Sequence, residues 1–187
     1  MVTEPSEVTA PPVLAALPPG RVRSVLHAPA TPLSAPCRLV EDPGDPVVVQ
    51  LCADLVATMA ASAGCVGLAA NQVGVGLRVF ALDVRDHPKT RRCHGRLVLL
   101  NPVIEEASRR ERGREGCLSV PDFTGDVRRA TRLTVSGVLP VTGEPVTLRT
   151  DAFEAIAVQH EIDHLEGLLF LDRVTGAHAV HPRRTYL

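Results

Sequence analysis

The chain has 187 residues, a formal charge of −1 and a pI near 6.6, so it has no general attraction for nucleic acid or for anionic membranes. Its hydrophobic content of 45% is enough for the core of one ordinary domain, and no apolar run approaches the roughly 18 residues that span a bilayer. Five irregularly spaced cysteines, and no cationic stretch followed by an apolar block at the start, predict a cytoplasmic protein with reduced thiols and no secretory signal.

Proline is concentrated at the beginning of the chain. Residues 1–22 carry five prolines among small side chains, which predicts a flexible, proline-rich extension. No internal repeat or change of composition divides the residues that follow, so residues 23–174 are predicted to form a single domain. The polar residues 175–187 are predicted to be a C-terminal tail.

The first clear helix follows Asp45-Pro46, a pair typical of an N-cap and a first helical residue. Apolar residues then recur at helical spacing until Gly64 ends the pattern: Val48, Leu51, Cys52, Leu55, Val56 and Met59. The small residues 67–74 contain one amide side chain, Gln72, that could donate to a ligand oxygen. Taken alone, such a run indicates tight packing more often than a binding loop.

Strands are predicted at residues 78–84, 96–104, 131–139 and 145–150. The polar residues 86–95 are predicted to be a solvated loop between the first two strands. The charged residues 109–114 are predicted to be a connection, and the last two strands are predicted to pair as a hairpin.

A second helix carries the pentapeptide His160-Glu161-Ile162-Asp163-His164. Asp151 and Glu154 have the form of a capping box, and Gly167 is a natural stop for the helix. Histidines four positions apart lie one turn from each other on one face and can both reach one metal ion. The glutamate after the first histidine then lies beside the metal's open position, where it can take a proton from water. Apolar residues on two sides predict that this helix is buried.

A catalytic metal site usually needs a third protein ligand. One class of metalloprotease has a histidine six residues after the second one, but Phe170 occupies that position here. The other downstream candidates have no supporting pattern: Glu166, Asp172, His178 and His181. Cys117 is the better candidate, because Gly116 before it permits close approach and a thiolate beside a divalent cation is readily deprotonated.

Residues 67–72, 115–119 and 159–167 resemble the three motifs of the peptide deformylases, in the same order and at compatible separations. The resemblance extends over residues 26–173. It implies an α+β fold, with small, mostly antiparallel sheets wrapped around a central buried helix that carries the H-E-x-x-H motif. Residues 23–174 would then be the catalytic domain.

The same resemblance implies a metal site. Cys117, His160 and His164 would hold a divalent metal, commonly ferrous iron in the family. Zinc, nickel and cobalt suit the same donors, so the sequence does not discriminate among these metals.

The resemblance also implies a reaction. Glu161 would be the general base and acid, and Gln72 with the backbone N–H of Leu118 would stabilise the oxyanion. The expected substrate is the N-formyl group on the initiator methionine of new proteins, and the products are formate and a free amino terminus. The expected partners are N-formylmethionyl nascent peptides, with a transient ribosome contact, and no membrane or nucleic acid.

A pocket for the methionine side chain is expected beside the metal. Its predicted lining consists of Val66, Gly67, Phe153, Ile156 and Ala157. The helical members of this set lie one and two turns before His160 on the same face. Val66 would close the opposite wall, by resemblance to the family's first motif.

Three charged residues are expected to contact the metal ligands and hold them in position, without binding the metal themselves: Glu115, Asp163 and Arg129. Two residues depart from the family pattern. Cys65 occupies a position that is usually glycine, and Thr124 occupies one that is often basic. The first change could narrow the substrate groove, and the second removes one expected contact with the substrate backbone.

Two other functions are compatible with H-E-x-x-H alone. One is a zincin-type metallopeptidase with a downstream ligand, which would keep its metal without Cys117. The other is a non-catalytic protein, with a structural metal site or a site for formyl peptides. A structural site normally has four protein ligands and no use for a glutamate beside its histidines, so the three motifs favour the deformylase.

Overall fold

One antiparallel sheet and two α-helices form the part of the chain that this computed structural model describes, residues 17–183. The helices are α1, Pro46–Ala61, and α2, Ala152–Leu165. The strands are β1 Gly67–Ala69, β2 Val79–Leu82, β3 Leu97–Cys117, β4 Val120–Val138, β5 Pro145–Asp151 and β6 Val180–Pro182. The predicted α+β class is confirmed. Neither described helix combines the length and the apolar composition needed to cross a membrane.

The six strands follow the order β1-β2-β3-β4-β5, and β6 pairs with β4. The structure therefore has one sheet where the sequence predicted several small ones. The reason is the length of β3 and β4, whose shared ladder runs from Leu100↔Val138 to Cys117↔Val120. Residues 109–114, predicted to be a connection, lie in the middle of β3. There β3 pairs with β4 alone, and charged side chains are common on such an exposed edge.

Helix α1 begins as predicted. Pro46 is its first residue, and the Asp45 side chain accepts a hydrogen bond from Val47 N at 2.7 Å. One face of the helix packs against β1 and β2. The buried apolar residues of that face include Val48, Leu51, Cys52, Leu55 and Met59.

Residues 17–22, the described end of the predicted N-terminal extension, are bound to α1 together with the residue that follows them. Arg21 N donates to Asp54 Oδ1 at 2.8 Å, and Arg23 N donates to Thr58 Oγ1 at 2.8 Å. Two buried polar side chains of α1 thus satisfy backbone groups of this segment. The sixteen residues before it, most of the predicted flexible extension, lie outside the described residues.

Helix α2 packs against β1, β2, β4 and β5. It ends where the sequence predicts, with Gly167 at a φ of +75° just beyond the last turn. The predicted capping box is wrong, because the Asp151 carboxylate makes no cap hydrogen bond. Glu154 instead accepts from the backbone N of His94 at 2.8 Å, and its other oxygen lies 2.8 Å from His94 Nδ1. These two contacts replace the single one that a capping box would have given Glu154.

The segment predicted to be a C-terminal tail contributes to the sheet. Residues 177–179 form a 3-10 turn, and β6 pairs with Phe123–Gly125 of β4. This pairing is possible because β5 covers β4 only from Arg132 onward, which leaves the edge of the earlier residues open. Residues 184–187 lie outside the described part.

Candidate active site

Three side chains from two elements converge at one point. Cys117 is the last residue of β3, and His160 and His164 lie one turn apart on α2. Their possible ligand atoms all lie within 4.8 Å of one another. Cys117 Sγ is 3.1 Å from His164 Nε2, and the two imidazole centroids are 5.1 Å apart. The structure thus brings together the three residues that were predicted to bind a metal.

Glu115 orients one of the imidazoles. His160 Nδ1 lies 2.9 Å from Glu115 Oε2, and Arg129 donates to both oxygens of the same carboxylate at 2.8 and 3.0 Å. Burial alone would raise the pKa of Glu115, but the hydrogen bonds from His160 and Arg129 lower the pKa to about 2. Since this carboxylate can only accept, Nδ1 of His160 carries the proton in this contact, and Nε2 is the ring nitrogen left to face a metal.

The charge network continues behind the helix. Arg129 Nη1 donates to Asp163 Oδ2 at 2.5 Å, and Arg173 Nη2 donates to Asp163 Oδ1 at 2.6 Å. Glu115, Asp163 and Arg129, the residues predicted to support the ligands, are therefore one connected group. Arg173 was not predicted. It lies in a 3-10 helix, Phe170–Arg173, and no local motif marks it.

The donor set suits a divalent transition metal. Burial raises the pKa of the Cys117 thiol, but the imidazoles of His164 and His160 outweigh this effect and hold the pKa well below its usual range. A thiolate in this buried position needs a positive partner. One sulfur and two imidazole nitrogens also leave room in a tetrahedral shell for a water molecule or a substrate atom.

Glu161 lies beside this cluster and faces the cavity. It is 3% exposed, and its Oε2 has no hydrogen-bond partner among the described residues. Burial raises the pKa of Glu161 to about 7, against the opposing effect of His160 and His164. Gly67 packs against the same carboxylate so closely that a Cβ at that position would overlap with it. Only glycine leaves Glu161 this position.

Gln72 has a fixed orientation in the site. It lies in a 3-10 helix, Ala70–Val73, where its Oε1 accepts from Ala69 N at 2.9 Å. Its Nε2 therefore points inward, 3.1 Å from Ser119 Oγ and 3.4 Å from Cys117 Sγ. Ser119 is fully buried and was not predicted as a site residue, although it lies within the second motif.

A cavity of about 320 Å³ opens in front of the cluster. The residues predicted to bind substrate all line it: Val66, Gly67, Phe153, Ile156 and Ala157. Leu118, in the turn between β3 and β4, lines it as well. His87 was not predicted here, yet its ring stacks on Phe153 with centroids 3.6 Å apart and an interplanar angle of 9°. The loop 86–95 therefore supplies one wall of the cavity.

Of the two departures from the family pattern, one lines this cavity and the other pairs with Gly116, which lines it. Cys65 lines it, and its Sγ lies 3.1 Å from Gly67 O. Burial raises the pKa of the Cys65 thiol to about 12, so it remains a neutral donor. Thr124 pairs with His181 of β6 and lies opposite Gly116 on β3.

Three of the four downstream side chains considered as alternative ligands have other partners. Glu166 binds Arg78 at 2.6 Å, and His181 binds Asp126 at 3.1 Å. Asp172 accepts a hydrogen bond at the start of a short 3-10 helix. A zincin-type site with one of these residues as third ligand is therefore not formed.

Comparison with known proteins points to one family. The polypeptide deformylase family model matches residues 22–179. Peptide deformylase 2 of Streptomyces coelicolor is 45% identical over 158 residues, which cover 84% of this chain and 85% of that protein. The peptide deformylase of Aquifex aeolicus is 41% identical over 155 residues, covering 83% and 89%.

Solved structures agree with the sequence relatives. A class I type b peptide deformylase from Acinetobacter baumannii with bound Met-Ala-Ser superposes with a TM-score of 0.75 at 34% identity, covering 82% of this chain and 99% of that one. A peptide deformylase from Ehrlichia chaffeensis in complex with actinonin gives a TM-score of 0.76 at 31% identity, covering 84% and 91%.

Proposed function

This chain belongs to the peptide deformylase family, hydrolases that remove the N-formyl group from nascent peptides, and on that premise we propose how its own residues carry out the reaction. Cys117, His160 and His164 hold a divalent metal, which is ferrous iron in the cell. The observation that carries this proposal is the convergence of their donor atoms within 4.8 Å of one another, at a cavity that also contains Glu161.

Proton transfer is the role of Glu161. A divalent metal held by the three donors would supply a Lewis acid, able to polarise a carbonyl oxygen and to lower the pKa of bound water to about 7. Glu161 takes the proton of the attacking water at Oε2, the oxygen without a partner among the described residues. It then returns that proton to the peptide nitrogen as the C–N bond breaks. Formate and a free amino terminus are the products.

The oxyanion is stabilised by two N–H donors, the Gln72 side chain and the backbone of Leu118. The hydrogen bond from Ala69 N to Gln72 Oε1 supports this role, because it directs the amide Nε2 towards Cys117 and the cavity. Such pre-oriented donors need no reorganisation when charge develops on the formyl oxygen. Losing one of them typically costs about 10²–10³-fold in rate.

Helix α2 is the central element of the proposed site, because it supplies two ligands, the proton carrier and one wall of the pocket. Glu115, Arg129 and Asp163 position the histidines without touching the substrate. The catalytic domain comprises residues 23–174, together with β6, which pairs with β4.

The proposed substrates are formylmethionyl nascent peptides, which the protein binds in the cytoplasm as they leave the ribosome. The methionine side chain occupies the pocket formed by Val66, Phe153, Ile156 and Ala157, with Gly67 at its edge. A Met-Ala-Ser peptide bound to the Acinetobacter baumannii enzyme supports peptides of this kind.

Formate release tests the proposal directly. The protein, loaded anaerobically with ferrous iron, is expected to release one formate for each formyl-Met-Ala-Ser consumed. Unformylated Met-Ala-Ser is the matched control and should give none. Cleavage of an internal peptide bond without formate release would indicate a metallopeptidase instead.

A further inference from the structure

A second cavity, of about 360 Å³, lies next to the metal-site cavity and has no part in the reaction proposed above. Lys89, Phe153 and Ile156 line both cavities, so the two are neighbours across one wall of the proposed methionine pocket. The loop 86–95, the middle of β3 and β4, and the start of α2 enclose the second cavity. We name it the basic cavity.

Cations outnumber carboxylates in the basic cavity. Four cationic side chains line it, and two acidic ones do: Lys89, Arg91, Arg109 and Arg132, against Glu111 and Asp151. Within residues 17–183, the cationic group of none of these four side chains donates a hydrogen bond or forms an ion pair.

Two arginines further along the same strand differ in this respect. Arg112 and Arg114 of β3 do not line the basic cavity, and both bind Asp126, at 2.8 and 2.6 Å. Four cations without an ion pair among residues 17–183 therefore line one concave space beside the active site. A concave surface lined by one sign of charge focuses its field and attracts ions of the opposite sign.

We propose that the basic cavity is a subsite for an acidic side chain, aspartate or glutamate, in the part of the formylated peptide that follows methionine. The inference rests on the proposed function, because it needs the methionine in the first cavity against Phe153 and Ile156. The following residues then leave past Lys89, the cation that both cavities share. An exposed carboxylate can bind there while it keeps part of its hydration, so it avoids the large desolvation cost of a buried ion pair.

A peptide series tests this subsite. A single Glu, Gln or Lys is moved, one position at a time, along the residues that follow formyl-Met, and kcat/KM for formate release is measured with the iron-loaded protein. At one position Glu is expected to exceed Gln by roughly three- to tenfold at low ionic strength. This preference should nearly disappear in about 1 M salt, where the Debye length falls to about 3 Å.

Neighbouring arginines provide matched variants. Arg91 and Arg132 line the basic cavity, whereas Arg92 and Arg128, from the same loop and the same strand, do not. The double variant Arg91→Gln with Arg132→Gln should lose the preference for Glu. The double variant Arg92→Gln with Arg128→Gln, with the same change in net charge, should keep it. If the strand substitutions impair folding, Arg91→Gln and Arg92→Gln alone make the same comparison within an exposed loop.

The outcomes separate this inference from the proposed function. Equal rates with Glu and Gln at every position would overturn the subsite alone. A preference for Lys would also overturn it, because Glu111 and Asp151 would then determine the charge of the cavity. Absence of formate from every formyl-Met peptide would overturn the proposed function, and the subsite with it.

Discussion

Arg128 and Arg129 are neighbours on β4, yet they belong to two electrostatically different regions of the molecule. Arg129 is 5% exposed, and its guanidinium binds Glu115 and Asp163. Arg128 is exposed and makes no ion pair within the described residues. Successive side chains of a strand point to opposite faces, so one arginine supports the metal ligands and the other meets solvent.

The cost of removing a charge from water explains the difference. Behind the histidines, Glu115 and Asp163 are paired with Arg129 and Arg173, because a buried charge without a partner is strongly destabilising. On the exposed surface, which includes Arg128 and the cations of the basic cavity, water and salt screen the charges, so they need no partner. Charges in the buried region are therefore committed to the structure, while those in the exposed region remain available to a ligand.

The largest effect is expected from removing a donor of the buried region. Cys117→Ala should abolish stoichiometric metal binding and, with it, formate release, because two imidazoles alone bind a divalent metal weakly. Metal analysis after anaerobic iron loading measures the metal content per chain. Cys93→Ala is a control outside the cluster. One tightly held ion per chain in the Cys117 variant would show that the third ligand is another residue.

Glu161→Gln should separate metal binding from proton transfer. The amide cannot accept a proton, so the variant should keep its metal and lose about 10²–10⁴-fold in kcat. Metal content and single-turnover formate release are measured on the same sample. A kcat close to that of the unmodified protein would exclude Glu161 as the proton carrier.

The neighbouring arginines make the comparison of the two regions quantitative. Arg129→Met leaves Glu115 and Asp163 with fewer partners in a buried place and should lower the free energy of unfolding by about 3–5 kcal/mol. Arg128→Gln should change it by less than about 0.5 kcal/mol. Urea unfolding of both variants measures the difference. Equal losses would mean that burial does not determine how much these charges contribute to the free energy of unfolding.

The pH dependence of the Arg129 effect has a definite sign. The pKa of Glu115 is lowered on folding from 4.5 to about 2. Its contribution to stability is therefore present above pH 4.5 and is lost as the pH falls from there through about 2. The difference between Arg129→Met and the unmodified protein should narrow over that interval.

The smallest effect concerns the apolar lining of the proposed methionine pocket. Burying an unbranched side chain is worth about 1.5–3 kcal/mol, so formyl-Met peptides should exceed formyl-Gly peptides by roughly ten- to a hundredfold in kcat/KM. Ala157→Phe fills the pocket and should erase this preference while the metal stays bound. Equal rates on both peptides in the unmodified protein would show that this face of α2 serves only for packing.

Local features of the sequence account for the elements that the structure has in common with the predictions. Asp45 and Pro46 begin α1, because an N-cap needs only residues adjacent in the chain. His160 and His164 share one face of α2, because helical spacing repeats every few residues. Cys117 needed more: it lies 47 residues before His164, and only its motif connected it with the histidines.

The tertiary structure alone decided the contacts between distant segments. Arg173 against Asp163, His87 on Phe153 and β6 on β4 have no signal in their own segments. Residues 109–114 were predicted to be a connection because their charges suit solvent, and they are a strand because β4 offers them a long partner. A strand is defined by its hydrogen bonds to another segment. An open sheet edge is a strand side that no other segment pairs with. Both exist only once the sheet has formed, whereas a helix makes its backbone hydrogen bonds within its own sequence.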